Sequence, residues 1–225
     1  MLPRVLEPEV MDDEAEVAEY DAMPHDDVNA RFVEDFLVRF PPGAIATATV
    51  LDLGTGTALI PLLLLQREPG LRVTAVDRSA AMLRMAARHA CRFGQQERLD
   101  LVEADVCRLP FADRSFDMVL SNSLLHHLPE PVRCLREAAR VLRPGGMLFL
   151  RDLFRPETDA DVERLVALHA GRETEAQRQL LRQSLHAALT VPEIEACCRQ
   201  IAELNLAVAT SSDRHWTLAG VRRAE

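Results

Sequence analysis

Four apolar runs each end in residues able to hold one kind of ligand. Val50-Leu51-Asp52-Leu53 stops at Gly54-Thr55-Gly56-Thr57, and Leu71 to Val76 ends in Asp77. Leu99 to Glu103 leads into Ala104-Asp105, and Phe116 to Leu120 runs into Ser121-Asn122. Glycines between an apolar strand and a helix let bare backbone approach a nucleotide-like ligand and aim a helix N-terminus at it. The spacing is G-x-G-x-x-L, so the third glycine of the dinucleotide fingerprint is absent. Asp77 follows Gly54 by 23 residues, where a ribose would lie, and a carboxylate accepts from both vicinal hydroxyls. Asp105 is placed to accept from an exocyclic amine while the amide of Val106 meets a purine ring. The set implies an adenosine site. His126 and His127, the chain's adjacent histidines, come next to it and are candidate acid–base groups, with a turn-capping role as the alternative. Tyr20, the single tyrosine, is either a core contact or a residue that closes over the ligand.

The elements that must position these groups alternate. Strands are expected at 49–53, 71–77, 99–103, 116–120 and 147–150. Helices start after the glycine turn (capped by Thr57), after Ser79, and at Pro131, the last stopped by Arg143-Pro144-Gly145-Gly146. Alternation implies a Rossmann-like, doubly wound α/β fold. Its mostly parallel sheet is covered by helices on both faces, and its ligand lies beyond the C-terminal strand ends. Runs at 206–209 and 216–219, linked through Ser211-Ser212-Asp213, read as a hairpin that completes seven strands with an antiparallel last one. Residues 1–43 form an N-terminal helical cap, with Asp12-Asp13 opening a short acidic helix. A second helix carries Val28, Phe32, Val33, Phe36, Leu37 and Phe40, ended by Pro41-Pro42-Gly43. Residues 44–225 hold the sheet. Within them, 155–190 is a helical insert divided near Gly171, followed by a helix capped by Thr190 with Glu193. Should the insert fold over the strand tips as a lid, Arg155, Arg172, Arg182 and His186 would line an acceptor pocket; otherwise they are solvated helix faces. His25, His89, His169 and His215 read as structural or exposed.

Composition narrows the chemistry. The 225 residues are 48% hydrophobic, enough for a full core built from Leu and Ala. Thirty-five acids against 26 bases give a net charge of −9, which disfavours adhesion to nucleic acid or anionic membranes. Every one of those bases is arginine. Schiff-base catalysis, a pyridoxal phosphate anchor and a Walker-type loop all need lysine and are excluded. Cys91, Cys107, Cys134, Cys197 and Cys198 include no C-x-x-C pair, so neither a disulfide framework nor a zinc cluster is expected, and no metal. No targeting segment and no run of 18 apolar residues is present. A reduced, cytoplasmic protein with no membrane insertion is the expectation.

VLDLGTGTALI, VTAVDRSAAML, LVEADVCRLPFADRSFDMVLSNSLLHHLPEP and VLRPGGMLFL resemble the successive motifs of the class I S-adenosylmethionine-dependent methyltransferases. They are most similar to the small-molecule branch that holds the ubiquinone/menaquinone methyltransferases. The resemblance covers about residues 48 to 152. It implies methyl transfer from S-adenosylmethionine to a small-molecule acceptor by in-line displacement, with S-adenosylhomocysteine as product. It also implies that Asp52, Gly54, Thr55 and Gly56 meet the methionine end and that Asp77 holds the ribose. Arg78 and Met82 would flank the adenine, Asp105 and Val106 would hold its edge, and Asn122 would lie beside the sulfonium. Thr57 departs from the usual third glycine.

The fourth-strand Ser-Asn-Ser-Leu replaces the Asn/Asp-Pro-Pro-Tyr of nucleic-acid and protein-amide methylating enzymes, so no nucleic-acid partner is expected. A nicotinamide-dependent oxidoreductase would share the first turn and Asp77 but leaves Asp105 and SNSLLHHL without a role. A non-catalytic binding or regulatory protein of the same fold is the other alternative. Nothing in the sequence sets the acceptor atom or the oligomeric state.

Overall fold

The computed structural model describes residues 2–7, 12–24, 26–40 and 45–224. Seven strands form one sheet: β1 (Thr49–Leu53), β2 (Arg72–Asp77), β3 (Leu99–Glu103), β4 (Phe116–Asn122), β5 (Leu142–Leu153), β6 (Leu204–Thr210) and β7 (His215–Arg222), in the order β3-β2-β1-β4-β5-β7-β6. The first five pair in parallel, and β7 runs antiparallel to both β5 and β6. The order reverses between β1 and β4, and in open α/β sheets a ligand lies beyond the C-terminal strand ends at such a point.

Side-chain alternation along the strands splits the core between two faces. Leu51, Leu53, Val119, Leu148 and Leu150 face α5 (Pro131–Val141) and α8 (Val191–Cys198), with Trp216 buried among them. Val50, Val73, Met118, Leu120 and Phe149 face α2 (Asp26–Leu37), α3 (Leu59–Arg67) and α4 (Ala80–Arg92). Phe149 anchors this second layer, with ring centroids 5.1 Å from Phe32 and 5.7 Å from Phe36. The buried Arg151 guanidinium lies over Phe32 and Phe149 and reaches Asp35 at 2.6 Å, tying α2 to the sheet. α2 ends at Leu37, one turn short of the expected Phe40, and Pro41-Pro42-Gly43 lie outside the described residues.

Local sequence accounts for most element ends. The Asp13 carboxylate accepts from the amides of Ala15 and Glu16 at the start of α1 (Glu14–Asp21), and Ser79 accepts from Met82 N at the start of α4. Gly94 follows α4 at φ +64°. The insert is a helix pair, α6 (Asp159–His169) capped by Thr158 and α7 (Glu175–Ala187) capped by Thr174. Thr190 with Glu193 forms the expected capping box of α8.

Two expectations need correction. Thr57 does not cap α3: Ala58 occupies the cap position in the left-handed region (φ +61°) with no side-chain cap, while Thr57 is buried. Arg143-Pro144-Gly145-Gly146 does not simply stop α5. The helix ends at Val141, and Leu142 already pairs with Phe116. The next four residues bulge out, Gly145 at φ +78°, before pairing resumes at Met147 opposite Met118. Arg222 from β7 donates to the carbonyls of Ala139, Arg140 and Leu142, satisfying the end of α5.

Because Phe149 is fully buried between two phenylalanines of α2, Phe149→Ala should cost about 3–5 kcal/mol of stability. The check is urea unfolding, where the midpoint should fall with little change in slope.

Candidate active site

At the end of β1 the chain makes two left-handed steps that only glycine takes without strain: Gly54 at φ +66° and Gly56 at φ +55°. A Cβ on Gly54 would lie 2.6 Å from Leu124 Cδ1, so the leucine after β4 rests on bare backbone. Leu124 is put there by Ser123, itself left-handed at φ +55° and held by its amide on the Arg151 carbonyl. Over Gly56 the nearest group a Cβ would meet is Met82 Sδ at 4.0 Å, which leaves that backbone open.

Asp77 fastens this turn. Its Oδ2 accepts from Gly56 N at 2.8 Å and its Oδ1 from Ser79 N at 2.9 Å, so one carboxylate joins the glycine turn to the start of α4. Burial raises its pKa against those amides, which favour the anion. A carboxylate has about four lone-pair sites, so two remain for hydroxyls. Ser79 Oγ donates to Asp12 Oδ1 (2.9 Å), bringing the segment before α1 to the same corner. Tyr20, half-buried, packs with Val17 against Ala81, Met82 and Met85. Arg78 is exposed at the rim.

Asp105 is exposed and its Oδ1 accepts from Cys107 N at 2.8 Å in a tight turn, while Val106 is buried beside it. Asp52 is buried at the tip of β1, and burial pushes its carboxyl up to about 7, with the charge of Asp77 adding to the effect. Asn122 at the end of β4 donates through Nδ2 to Ser123 Oγ, but its buried Oδ1 has no partner. Thr55 Oγ1 in the glycine turn is buried as well and faces the Asp52 carboxyl, whose rise it opposes. Unsatisfied buried acceptors are rare in folded proteins, and Asn122 Oδ1 beside an open turn suits a polar ligand.

The two histidines part company. His126 is buried on a single 3-10 turn, Leu125–His127. Its Nδ1 lies 2.6 Å from Asp152 Oδ1, and its amide donates to Asp152 Oδ2 at 3.1 Å. Burial disfavours the imidazolium, but Asp152 and then Glu7 outweigh it and raise the pKa of His126. His127 turns outward, its Nδ1 2.7 Å from Glu7 Oε2. Glu7 also accepts from Ser184 Oγ of α7 at 2.7 Å. Arg4 donates to the carbonyls of Leu125, His126 and Leu128 and, through Nε, to Ala187 O. Residues 2–7 thus lie between the histidine turn and the insert. Arg4, Glu7, Leu124 and Asp152 were not among the sequence candidates. Asp152 alone leaves a signal, an acid inside the apolar run MLFLRDLF.

The insert does not present the expected arginines to the site. Arg155 is buried, donating to Ala188 O and Glu193 Oε1, and Arg182 is held by Glu163 and Glu175. His186 Nε2 lies 3.8 Å from Asp159, and Arg172 is exposed. Among the other histidines, His89 meets Asp21, His169 meets Asp213, and His215 bonds Ser212 Oγ with its pKa lowered by burial to about 4. His25 lies outside the described residues. All five cysteines are free. Among the described residues no helix is long and apolar enough to cross a membrane.

A glycine turn, an acid on the next strand and a strand order that reverses between β1 and β4 define an α/β domain of the Rossmann-like class. Residues 51–150 match the family described as "Methyltransferase domain". The chain is 32% identical over 152 residues to the 27-O-demethylrifamycin SV methyltransferase of Amycolatopsis mediterranei, covering 67% of this chain and 52% of that one. It is 40% identical over 101 residues to the ubiquinone/menaquinone biosynthesis C-methyltransferase of Paracoccus denitrificans, covering 45% and 40%. A solved S-adenosylmethionine-dependent methyltransferase from Methanococcus maripaludis shares the fold at a TM-score of 0.74 and 17% identity, over 98% of each chain. The chain spans about half the length of the curated relatives it matches. Residues 51–150 therefore carry a methyltransferase domain.

The raised pKa of His126 sets a pH signature. Its contribution to stability is fully present below the unfolded value of 6.5 and is lost as pH rises through the higher folded value. Denaturant titrations of the wild type and His126→Gln should therefore differ most near pH 6, and the gap should narrow at alkaline pH. A gap that widens with pH would contradict the pairing with Asp152.

Proposed function

We propose that this protein transfers the methyl group of S-adenosylmethionine to a small-molecule acceptor, at the tips of β1, β2 and β4. The observation that carries the reading is the conjunction of the open Gly56 backbone, the Asp77 carboxylate and the buried, unpartnered Asn122 Oδ1. These groups suit a ligand with a ribose at one end and a charged amino acid at the other. Relatives named as methyltransferases of 27-O-demethylrifamycin SV and of ubiquinone/menaquinone biosynthesis support a small acceptor.

When bound, the cofactor supplies an electrophilic methyl on a sulfonium. The protein's task is to bind, orient and exclude water, because displacement in line at carbon depends on alignment more than on acid strength. Asp77 takes the ribose hydroxyls with the lone pairs that Gly56 and Ser79 leave free, and Met82 with Tyr20 walls the adenosine side. Asp105 and Val106 border the base, with Arg78 at the rim. Asp52, Thr55 and the glycine backbone receive the amino-acid end, and Asn122 offers Oδ1 toward the sulfonium. His127 is the solvent-reaching histidine after β4 and the better placed to take an acceptor proton, since His126 is committed to Asp152.

Thermal unfolding with S-adenosylhomocysteine, S-adenosylmethionine and NADH in parallel tests the cofactor, because a ligand of the native state raises the midpoint. A shift with the two adenosyl sulfur compounds that Asp77→Ala removes is expected. A shift with NADH alone would favour the oxidoreductase reading, and none with any ligand would favour a non-catalytic protein.

Asp52 gives a second test. With a carboxyl titrating at about 7, the anion that attracts a ligand ammonium is scarce at pH 6 and nearly complete at pH 8. Affinity for S-adenosylhomocysteine should be about tenfold weaker at pH 6 than at pH 8. In calorimetry, Asp52→Asn should flatten that dependence.

A further inference from the structure

Beyond the glycine turn and its acids, Glu7, His126 and His127 bring metal-ligating atoms together, all within 4.8 Å of one another. We infer that these three side chains form a binding site for a divalent first-row transition cation that accepts nitrogen and oxygen ligands, of the zinc or cobalt kind. Two imidazoles and one carboxylate are a ligand set such ions take, with further positions left to water.

The ligands are also held from behind. Asp152 Oδ1 occupies His126 Nδ1 at 2.6 Å, so Nε2 is the nitrogen turned toward Glu7, 3.8 Å from its Oε1. A carboxylate behind a ligating imidazole fixes its tautomer and raises its basicity, as is usual around bound metals. Ser184 Oγ in turn holds the Glu7 carboxylate at 2.7 Å. The two rings lie with centroids 4.0 Å apart and tilted by 36°, and both face that carboxylate. His127 keeps 45% of its side chain exposed, which opens a path from solvent.

Without a cation, His127 Nδ1 and Glu7 Oε2 lie 2.7 Å apart, within hydrogen-bond distance. A cation would come between them, and binding would release protons. Bound there, the ion would fasten residues 2–7 to the turn after β4. The inference rests on side-chain geometry and not on methyl transfer, so either can fail without the other.

The test is titration of the full chain with cobalt(II) chloride, and separately zinc chloride, followed by calorimetry and, for cobalt, visible absorption. One equivalent should bind, with d–d bands and without the near-ultraviolet band of a cobalt thiolate. Ser184→Ala should weaken binding about 10- to 100-fold. Glu7→Gln and His127→Gln should each weaken it further, while Cys197→Ser with Cys198→Ser leaves it unchanged. Circular dichroism checks that each variant is folded, and the wild-type cobalt spectrum reports the ligand type whether or not they are. A thiolate band, affinity unchanged in Glu7→Gln and His127→Gln, or no binding at millimolar metal would each overturn the site.

Discussion

The corner around Asp77 depends on one carboxylate making two backbone hydrogen bonds at once. Gly56 N–H and Ser79 N–H belong to turns after different strands, and the acid joins them where the Thr55 N–Val76 O bond, the last backbone link from the glycine turn to β2, leaves off. The acid converts two loops into one rigid edge. Both amides favour its ionised form, while burial, the larger influence, leaves its pKa raised. The glycine turn is held open from the other side by Leu124, which fills the space a side chain on Gly54 would need.

A second constraint governs the opposite wall. The His126–Asp152 pair is buried, and taking two ionisable groups from water is favourable only when each satisfies the other. Here the backbone helps: the Asp152 carboxylate accepts from the His126 amide as well as from its ring. The turn after β4 is thereby stapled to β5, and the outward ring of His127 inherits a fixed position from its buried neighbour.

Much of this was legible along the chain. Strand alternation placed β1 to β5, and Ser79, Gly94 and the Thr190–Glu193 box marked their element ends because capping chemistry is local. The tip acids were legible because an acid closing an apolar run has few uses in a buried strand. The left-handed Ala58 was not, since alanine carries no signal for that conformation. Nor was the four-residue bulge in β5, where the same Arg-Pro-Gly-Gly reads as a helix stop. Arg4 and Glu7 escaped for a different reason. Their partners are tertiary, with Arg4 reaching a carbonyl 122 positions away, and neither spacing nor periodicity records such a contact.

The stretch that matches relatives and the stretch that shapes the strand tips are therefore different objects. Residues 51–150 carry the recognisable motifs, yet residues outside them brace both sides: Asp12 and Tyr20 at the start of α4, and Asp152, Ser184 and Glu7 at the histidine turn. Shortening the chain to its matching core would keep the motifs while removing the groups that orient them. Any group fused ahead of Arg4 and Glu7 would therefore press on the turn after β4 that these two side chains hold.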